Sequence, residues 1–288
     1  MEESIKIAII QPSSPPEKEA FEKGLSILRK EGFFVRNFVD FREDPPSHKA
    51  ILLFEIMTSG LFTHLWAARG GAGAIKLLPY LDELFKASSL NPPLPQLIGF
   101  SDITTLHIYF YKKFGKRGLH APMIVNLATL KANSLKRTLE FIQGRPTSYK
   151  LKGKPFRVGE SQGVLLGGNL LTLSSLCGTP YFFEEKELIL FIEETNEPLY
   201  RVERAFLQIL FSLPKGSLKG LILGNMGKVN SYEFLKRISE FLPEEIPIGY
   251  AFPFGHTANN NPLLIGSKVK MQVTEKRAEL LFIDILRP

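Results

Sequence analysis

Short apolar runs alternate with longer amphipathic segments along the first half of the chain. Residues 5–10 form an apolar run that predicts a strand, whereas residues 17–30 repeat apolar side chains at helical spacing. Further strands are predicted over 33–39, 63–68 and 97–99 and near Leu119, with helices over 48–58 and 74–85 and after Asp102. Strands that alternate with helices are typical of βαβ units. We therefore predict a mostly parallel sheet covered by helices on both faces.

The second half of the chain begins near Gly159 and predicts another α/β unit. Its strands are expected over 163–166, 188–192, 218–223 and 246–251, and its helices up to 176 and over 199–211 and 232–241. Two strands that we expect to be antiparallel, 268–273 and 278–283, complete the pattern.

A basic stretch separates the two halves. Twelve Lys and Arg residues but a single acid, Glu140, lie between Tyr111 and Arg157, while the whole chain carries a net charge of +7. We interpret 131–158 as a basic connector between a domain over 1–130 and a domain over 159–288. Basic surfaces can attract nucleic acid. No aromatic ladder interleaves these charges, so we favour a solvated surface and expect no nucleic-acid partner.

Composition narrows the class of protein further. A chain of 288 residues with 44% hydrophobic and 23% charged residues suits two soluble globular domains. Glu2 and Glu3 stand where a secretory signal has basic residues, and no apolar run reaches the ~18 residues of a membrane span. Cys177 is the only cysteine, which excludes a disulfide framework and a cysteine-rich metal site. We expect a cytoplasmic protein without a membrane partner, a metal or another cofactor.

Candidate chemistry centres on Ser101, in the stretch Leu-Ile-Gly-Phe-Ser-Asp-Ile-Thr over 97–104. A strand should end near Gly99 and a helix begin near Asp102, which would put the Ser101 hydroxyl on a sharp turn, as in a nucleophile elbow. Ile103 replaces the last glycine of the common G-x-S-x-G form, so by spacing alone a helix cap explains Ser101 better. Ligands of parallel sheets bind at the carboxyl ends of the strands, where Ser101 and the Gly70-Gly71 loop both fall. That placement favours a functional serine.

A serine nucleophile needs a base and an acid that orients it. His256 and His120 both follow predicted strands, and the spacing leaves the two open as bases. Glu193 ends an apolar strand and could orient an imidazole, whereas Glu194 would point to the opposite face. The alternative for Glu193 is an ion pair with an arginine of the next helix, either Arg201 or Arg204.

Several motifs, weak one by one, occur in an order that resembles the LD-carboxypeptidase family of serine peptidases, which includes the microcin-immunity peptidases. They are Arg-Gly-Gly-x-Gly at 69–73, Leu-Leu-Pro-Tyr-Leu-Asp at 77–82, Gly-Phe-Ser-Asp-Ile-Thr at 99–104, Leu-Gly-Gly-Asn-Leu at 166–170, Phe-Ile-Glu-Glu at 191–194, Glu-Pro-Leu-Tyr-Arg at 197–201 and Gly-His at 255–256. The resemblance implies a flavodoxin-like N-terminal domain, a smaller α/β C-terminal domain and a homodimer. It also implies a triad of Ser101 as nucleophile, His256 as general base and Glu193 as orienting carboxylate, with His120 non-catalytic.

The activity implied by the resemblance is release of terminal D-alanine from murein tetrapeptide across an L,D amide bond, a cell-wall recycling step in the cytoplasm. On this hypothesis the backbone N–H groups of Asp102 and Gly71 form the oxyanion hole. Arg69 and Gly70 belong to the substrate site, where the Arg69 guanidinium can hold a carboxylate bidentately.

The sequence departs from the family pattern in three places. Ala72 replaces a usual aromatic residue in the glycine loop, His-Ala-Pro at 120–122 replaces His-Gly-Pro, and the segment between Val39 and Thr63 is short. The loss of a large side chain at Ala72 affects the expected specificity more than the chemistry.

Three alternatives stay open. The first is a related serine hydrolase that cleaves peptidyl- or aminoacyl-nucleotide amides. The second is a non-catalytic flavodoxin-like module whose Gly70–Gly73 loop cradles phosphate. The third is a nucleic-acid binder that uses the basic stretch.

Overall fold

The computed structural model of the protein describes residues 5–88, 93–146 and 148–285; the acidic start of the chain lies outside them. The first part alternates strands and helices as predicted. Its elements are β1 (Lys6–Ile10), α1 (Lys18–Lys30), β2 (Phe34–Asn37), α2 (Pro46–Thr58), β3 (His64–Ala67), α3 (Leu78–Ala87), β4 (Gln96–Gly99), α4 (Thr104–Phe114) and β5 (Gly118–His120).

These five strands run parallel in the order β2-β1-β3-β4-β5, which is the flavodoxin-like order. Helices cover both faces of the sheet, so the side chains of its central strands, such as Ile7, Leu65 and Ile98, are fully buried. The flavodoxin-like domain is therefore confirmed. A strand from the far end of the chain, β11 (Leu263–Ile265), pairs antiparallel with β5 and covers the sheet edge. The sequence pattern did not predict β11.

The second part forms a mixed α/β domain around a closed barrel. Its other elements are α5 (Ala132–Ile142), β6 (Tyr149–Arg157), β7 (Gly159–Asn169), α6 (Leu170–Ser174), β8 (Leu188–Glu193), α7 (Leu199–Ser212), β9 (Leu218–Leu223), α8 (Ser231–Ile238), β10 (Ile248–Tyr250), β12 (Lys268–Val273) and β13 (Ala278–Phe282). The barrel order is β10-β6-β13-β12-β7-β8-β9, with β7 to β10 parallel and the other neighbours antiparallel. The predicted antiparallel pair of the last two strands, β12 and β13, is present.

The basic segment 131–158 differs from the expected connector. Its first part is α5, and its last part is the barrel strand β6, which pairs with β13 and β10. Inward Tyr149 and Leu151 alternate with outward lysines, which is the period of two that a half-buried strand requires. The lysines therefore belong to the solvent face of a strand rather than to a linker. A domain boundary near residue 130 stays a prediction.

Helix α4 contacts both parts of the chain. The Asn169 N–H at the end of β7 donates to Thr104 Oγ1 at 3.0 Å, and a Cβ at Gly168 would lie 2.3 Å from Thr104 Cγ2. At the other end of this region, Arg117 pairs with Asp284. The first turn of α4 thus lies against the barrel, which brings side chains of both parts close to Ser101. In the described residues, no helix has the length and apolar character that a bilayer span demands.

Candidate active site

Ser101 lies on a sharp turn between β4 and α4. Its φ of +63° is in the left-handed region, which is uncommon for a residue other than glycine. The turn continues as a short 3-10 helix over Ser101–Ile103 before α4 begins. Gly99 is needed here, because a Cβ would lie 3.0 Å from two atoms of Ile103. A strained strand-turn-helix of this kind exposes a nucleophilic side chain at the carboxyl edge of the sheet.

The glycine-rich loop after β3 lies directly against Ser101. A Cβ at Gly70 would stand 3.0 Å from Ser101 Cβ and 3.1 Å from Ser101 Oγ, so a larger residue would press on the serine side chain. In the described part of the chain, the N–H groups of Gly70 and Gly71 donate to no acceptor. Free N–H groups beside a hydroxyl are the components of an oxyanion hole.

His256 is oriented by Glu193, as a catalytic base requires. Its Nδ1 lies 2.6 Å from Glu193 Oε2 at the end of β8, and the Glu193 side chain is fully buried. An ionised carboxylate only accepts, so Nδ1 carries the proton and Nε2 is left to act as a base. Burial disfavours the imidazolium, but the hydrogen bond and the charge of Glu193 outweigh it and raise the pKa of His256.

His256 packs against Phe100, the residue before Ser101. The Phe100 ring and the His256 ring have centroids 4.7 Å apart. Within residues 5–88, 93–146 and 148–285, no direct hydrogen bond joins the Ser101 hydroxyl to the imidazole. Catalytic hydrogen bonds often close only when substrate is bound. The Phe100 contact therefore places the hydrogen-bonded pair of His256 and Glu193 beside the turn that carries Ser101.

Comparison with known proteins identifies the family of the chain. Residues 7–121 match the family model of the LD-carboxypeptidase N-terminal domain, and residues 162–271 match that of the LD-carboxypeptidase C-terminal domain. The chain belongs to the LD-carboxypeptidase family. The resemblance noted in the sequence and the prediction of a serine carboxypeptidase are thereby confirmed.

Individual LD-carboxypeptidase relatives span most of the chain. The murein tetrapeptide carboxypeptidase of Pseudomonas aeruginosa is 32% identical over 218 residues, which are 69% of this chain and 68% of that protein. The crystal structure of muramoyltetrapeptide carboxypeptidase from Oxalobacter formigenes has a TM-score of 0.82 at 28% identity and covers 97% of this chain and 99% of that chain. A structure of the microcin C7 self-immunity protein of Escherichia coli with glutamyl sulfamoyl guanosine has a TM-score of 0.81 at 21% identity, covering 100% and 98%, and shows the shared fold.

The rival histidine, His120, lies in an apolar enclosure. Phe100, Phe191 and Phe254 surround its ring at centroid distances of 5.1–6.1 Å. Neither ring nitrogen has a hydrogen-bond partner among the described residues, and burial lowers the pKa of His120 well below its usual value. An imidazole without an orienting acceptor is a poor general base. The geometry therefore favours His256.

Glu193 and Glu194 have different hydrogen-bond partners. Glu194 accepts hydrogen bonds from Asn169 Nδ2 and from the N–H groups of Leu171 and Thr195, so it holds the start of α6. Arg201 pairs instead with Glu197 at 3.3 Å. Among the described residues, the ion-pair alternative for Glu193 with an arginine of α7 is not found.

The predicted substrate residues have mixed surroundings. The Arg69 side chain is exposed, and its Nη1 donates to the Pro15 carbonyl at 2.9 Å, which holds it beside the glycine loop. The Asp102 side chain turns inward, away from the turn, and accepts from Ser13 Oγ and the Ala74 N–H.

Sequence reasoning missed Ser13 and its neighbour Ser14. The signal was present, because both follow β1 at the same carboxyl edge as Ser101.

Proposed function

We propose that the protein is a serine-type LD-carboxypeptidase that releases terminal D-alanine from murein tetrapeptide by a Ser-His-Glu acyl-enzyme mechanism. The observation that carries the proposal is the 2.6 Å bond between His256 Nδ1 and buried Glu193, next to the strained turn at Ser101. A buried carboxylate, an imidazole and a half-buried hydroxyl are the components of nucleophilic acyl transfer.

In the proposed reaction, Ser101 Oγ attacks the carbonyl carbon of the L,D amide while His256 Nε2 takes its proton. The N–H groups of Gly71 and Asp102 hold the oxyanion, and Arg69 binds the terminal carboxylate. His256 then gives the proton to the amine of the departing D-alanine. Water, activated by His256, hydrolyses the ester on Ser101 and restores the hydroxyl.

Murein tetrapeptide is the proposed substrate because of the relatives. The Pseudomonas aeruginosa protein and the Oxalobacter formigenes structure are named for this activity, and both cover about two thirds or more of the chain. We also propose that the enzyme works in the cytoplasm and that it forms a homodimer. Light scattering on the purified protein tests the homodimer.

A second candidate substrate is an aminoacyl-nucleotide amide. It is favoured by the likeness to the microcin C7 self-immunity protein and by exposed Ala72, which leaves the glycine loop without a large side chain. The same catalytic residues would cleave either amide, so only the binding surface beyond the glycine loop distinguishes the two substrates.

Mass spectrometry of products decides between the candidates. Purified protein is incubated with murein tetrapeptide and, separately, with an aminoacyl-sulfamoyl adenylate, each beside the Ser101→Ala variant. Loss of D-alanine from the tetrapeptide with wild type alone supports the first proposal. Cleavage of the adenylate alone supports the second, and turnover that persists in Ser101→Ala rejects both.

A further inference from the structure

The carboxylate of Asp102 has no part in the proposed mechanism, which uses only its backbone N–H. The residue is only 8% exposed although it directly follows Ser101. Its Oδ2 accepts from Ser13 Oγ at 2.6 Å and from the Ala74 N–H at 2.9 Å. Burial raises the pKa of the Asp102 carboxyl, while these two hydrogen bonds favour its charged form. A carboxylate kept at this position at the cost of desolvation points to a use beyond packing.

One oxygen of Asp102 thus joins three segments of the chain. The turn carries Ser101 and Asp102, Ala74 ends the glycine loop, and Ser13 belongs to the loop after β1. The β1 loop also holds the middle of the glycine loop, because Ser14 Oγ accepts from the Ala72 N–H at 3.2 Å. A Cβ at Gly71 would lie 2.5 Å from the same Ser14 oxygen.

A buried ammonium fixes the β1 loop from the other side. Lys49 Nζ in α2 donates to the Ser13 carbonyl at 2.9 Å and pairs with Glu43 at 2.8 Å. The Lys49 side chain is only 7% exposed. Its positive charge also favours the ionised carboxyl of Asp102. Ser13 is therefore held at both its carbonyl and its hydroxyl, and cannot shift without breaking a hydrogen bond to a charged group.

We propose that the Asp102 carboxylate, acting through Ser13, is a positioning group that sets the separation of the two oxyanion donors, the N–H groups of Gly71 and Asp102. The inference rests on the proposed function and adds a residue role to it. One donor belongs to the glycine loop and the other to the turn, so their spacing depends on what joins those segments. The hydrogen bonds from Ser13 Oγ and the Ala74 N–H to Asp102 Oδ2 connect these segments. A misplacement of about 1 Å in such a site costs about 100-fold in rate.

Steady-state kinetics and covalent labelling test the proposal together. Release of D-alanine gives kcat and KM, and the rate at which a fluorophosphonate modifies Ser101 gives a second measure of oxyanion binding. The variants are Asp102→Ala, Asp102→Asn and Ser13→Ala. Asp82→Asn is the matched control, because the Asp82 carboxylate accepts hydrogen bonds from Tyr109 and Lys113 rather than from Ser13 or Ala74.

We expect Asp102→Ala to lower kcat about 100-fold and Ser13→Ala about tenfold, with KM within about twofold of wild type. The labelling rate should fall by the same factors. Asp102→Asn should lie between Asp102→Ala and wild type, since its amide oxygen can still accept a bond. Asp82→Asn should lower the melting temperature while it keeps kcat and the labelling rate.

Each result has a definite meaning. Wild-type kcat and labelling rates in the Asp102 and Ser13 variants overturn the inference, as does a loss confined to KM or matched by Asp82→Asn. Should Asp102→Ala fail to fold, Ser13→Ala decides by the same criteria. Labelling of Ser101 without D-alanine release rejects the proposed substrate but leaves the labelling rates to judge the positioning role. No labelling of wild-type Ser101 rejects the proposed mechanism and the inference with it.

Discussion

Replacing Glu193 by glutamine tests how the site makes His256 a base. Glutamine has nearly the same shape, so it keeps the buried volume at the end of β8 while it removes the negative charge. The amide N–H of glutamine can also donate to Nδ1. This favours the tautomer in which Nε2 carries the proton, and Nε2 then cannot accept one from Ser101. The change therefore acts on both the charge and the orientation of the imidazole.

The size of the effect follows from the contact. A hydrogen bond to a charged group contributes about 1.5–3 kcal/mol, or about 10- to 150-fold in rate, and the pair here is 2.6 Å long with a fully buried acid. Loss of the correct tautomer adds to this, and an acid-to-amide change in a serine-protease triad costs about 10⁴-fold. We expect Glu193→Gln to lower kcat by about 10³-fold.

The pH profile is the sharper assay. Neutral His256 takes the proton from Ser101, so activity is lost as the pH falls through the pKa of His256. Glu193 raises that pKa. Without its charge the pKa drops, and the acid limb of log kcat should move to lower pH although kcat itself is reduced.

Glu194→Gln is the matched control, since Glu194 is the adjacent acid and is also buried, but has no hydrogen bond to His256 among the described residues. Its charge contributes least to the raised pKa of His256, so the acid limb of Glu194→Gln should move less than that of Glu193→Gln. It should lower the melting temperature and leave kcat within about threefold, because its bonds hold α6 rather than His256. The reasoning is refuted if Glu193→Gln keeps full activity, or if its acid limb stays in place or moves to higher pH.

The remaining predictions concern the nucleophile, the glycine loop and acid stability. Ser101→Ala should abolish D-alanine release and keep the circular-dichroism melt of wild type; residual turnover at the wild-type rate would exclude Ser101 as nucleophile. Gly70→Ala should lower kcat about 10- to 100-fold because its Cβ would press on Ser101 Oγ at 3.1 Å, and unchanged kinetics would place the hydroxyl elsewhere. Burial lowers the pKa of His107 to about 4 in the folded protein. Between pH 6.5 and 4 the His107 imidazole is therefore protonated in the unfolded chain but not in the folded one. Stability should therefore fall over that window as the pH falls, by up to about 3 kcal/mol from this group. Urea midpoints should show the loss, and His107→Gln should reduce it without abolishing it, because burial also lowers the pKa values of His64 and His120; a pH dependence that His107→Gln leaves unchanged would contradict the assignment.

Local pattern was enough to predict the first domain. Each strand there is a short apolar run bounded by turn residues, and its neighbours in the sheet follow from short βαβ connections. The barrel was beyond the same reasoning, because its closure depends on pairing between remote segments. Strand β6, for example, pairs with β13. The alternation of Tyr149 and Leu151 with lysine predicts a half-buried strand but does not predict which strand it pairs with.

The candidate site divides in the same way. Position at the carboxyl edge singled out Ser101 and the Gly70-Gly71 loop, and its place at the end of an apolar strand singled out Glu193. Spacing left His120 and His256 open, and the family motifs favoured His256. The physical reason lies in tertiary surroundings, a ring of three phenylalanines for His120 and a buried carboxylate for His256. Spacing along the chain contains no record of either.

Peptide mapping of the covalent adduct tests the central claim most directly. Wild type, His256→Ala and Glu193→Gln are treated with a fluorophosphonate at pH 8, digested and sequenced by mass spectrometry. The account predicts one adduct, on Ser101, formed rapidly in wild type and at least about 100-fold more slowly in both variants. An adduct on another serine, or equal labelling of Ser101 in all three proteins, would contradict it.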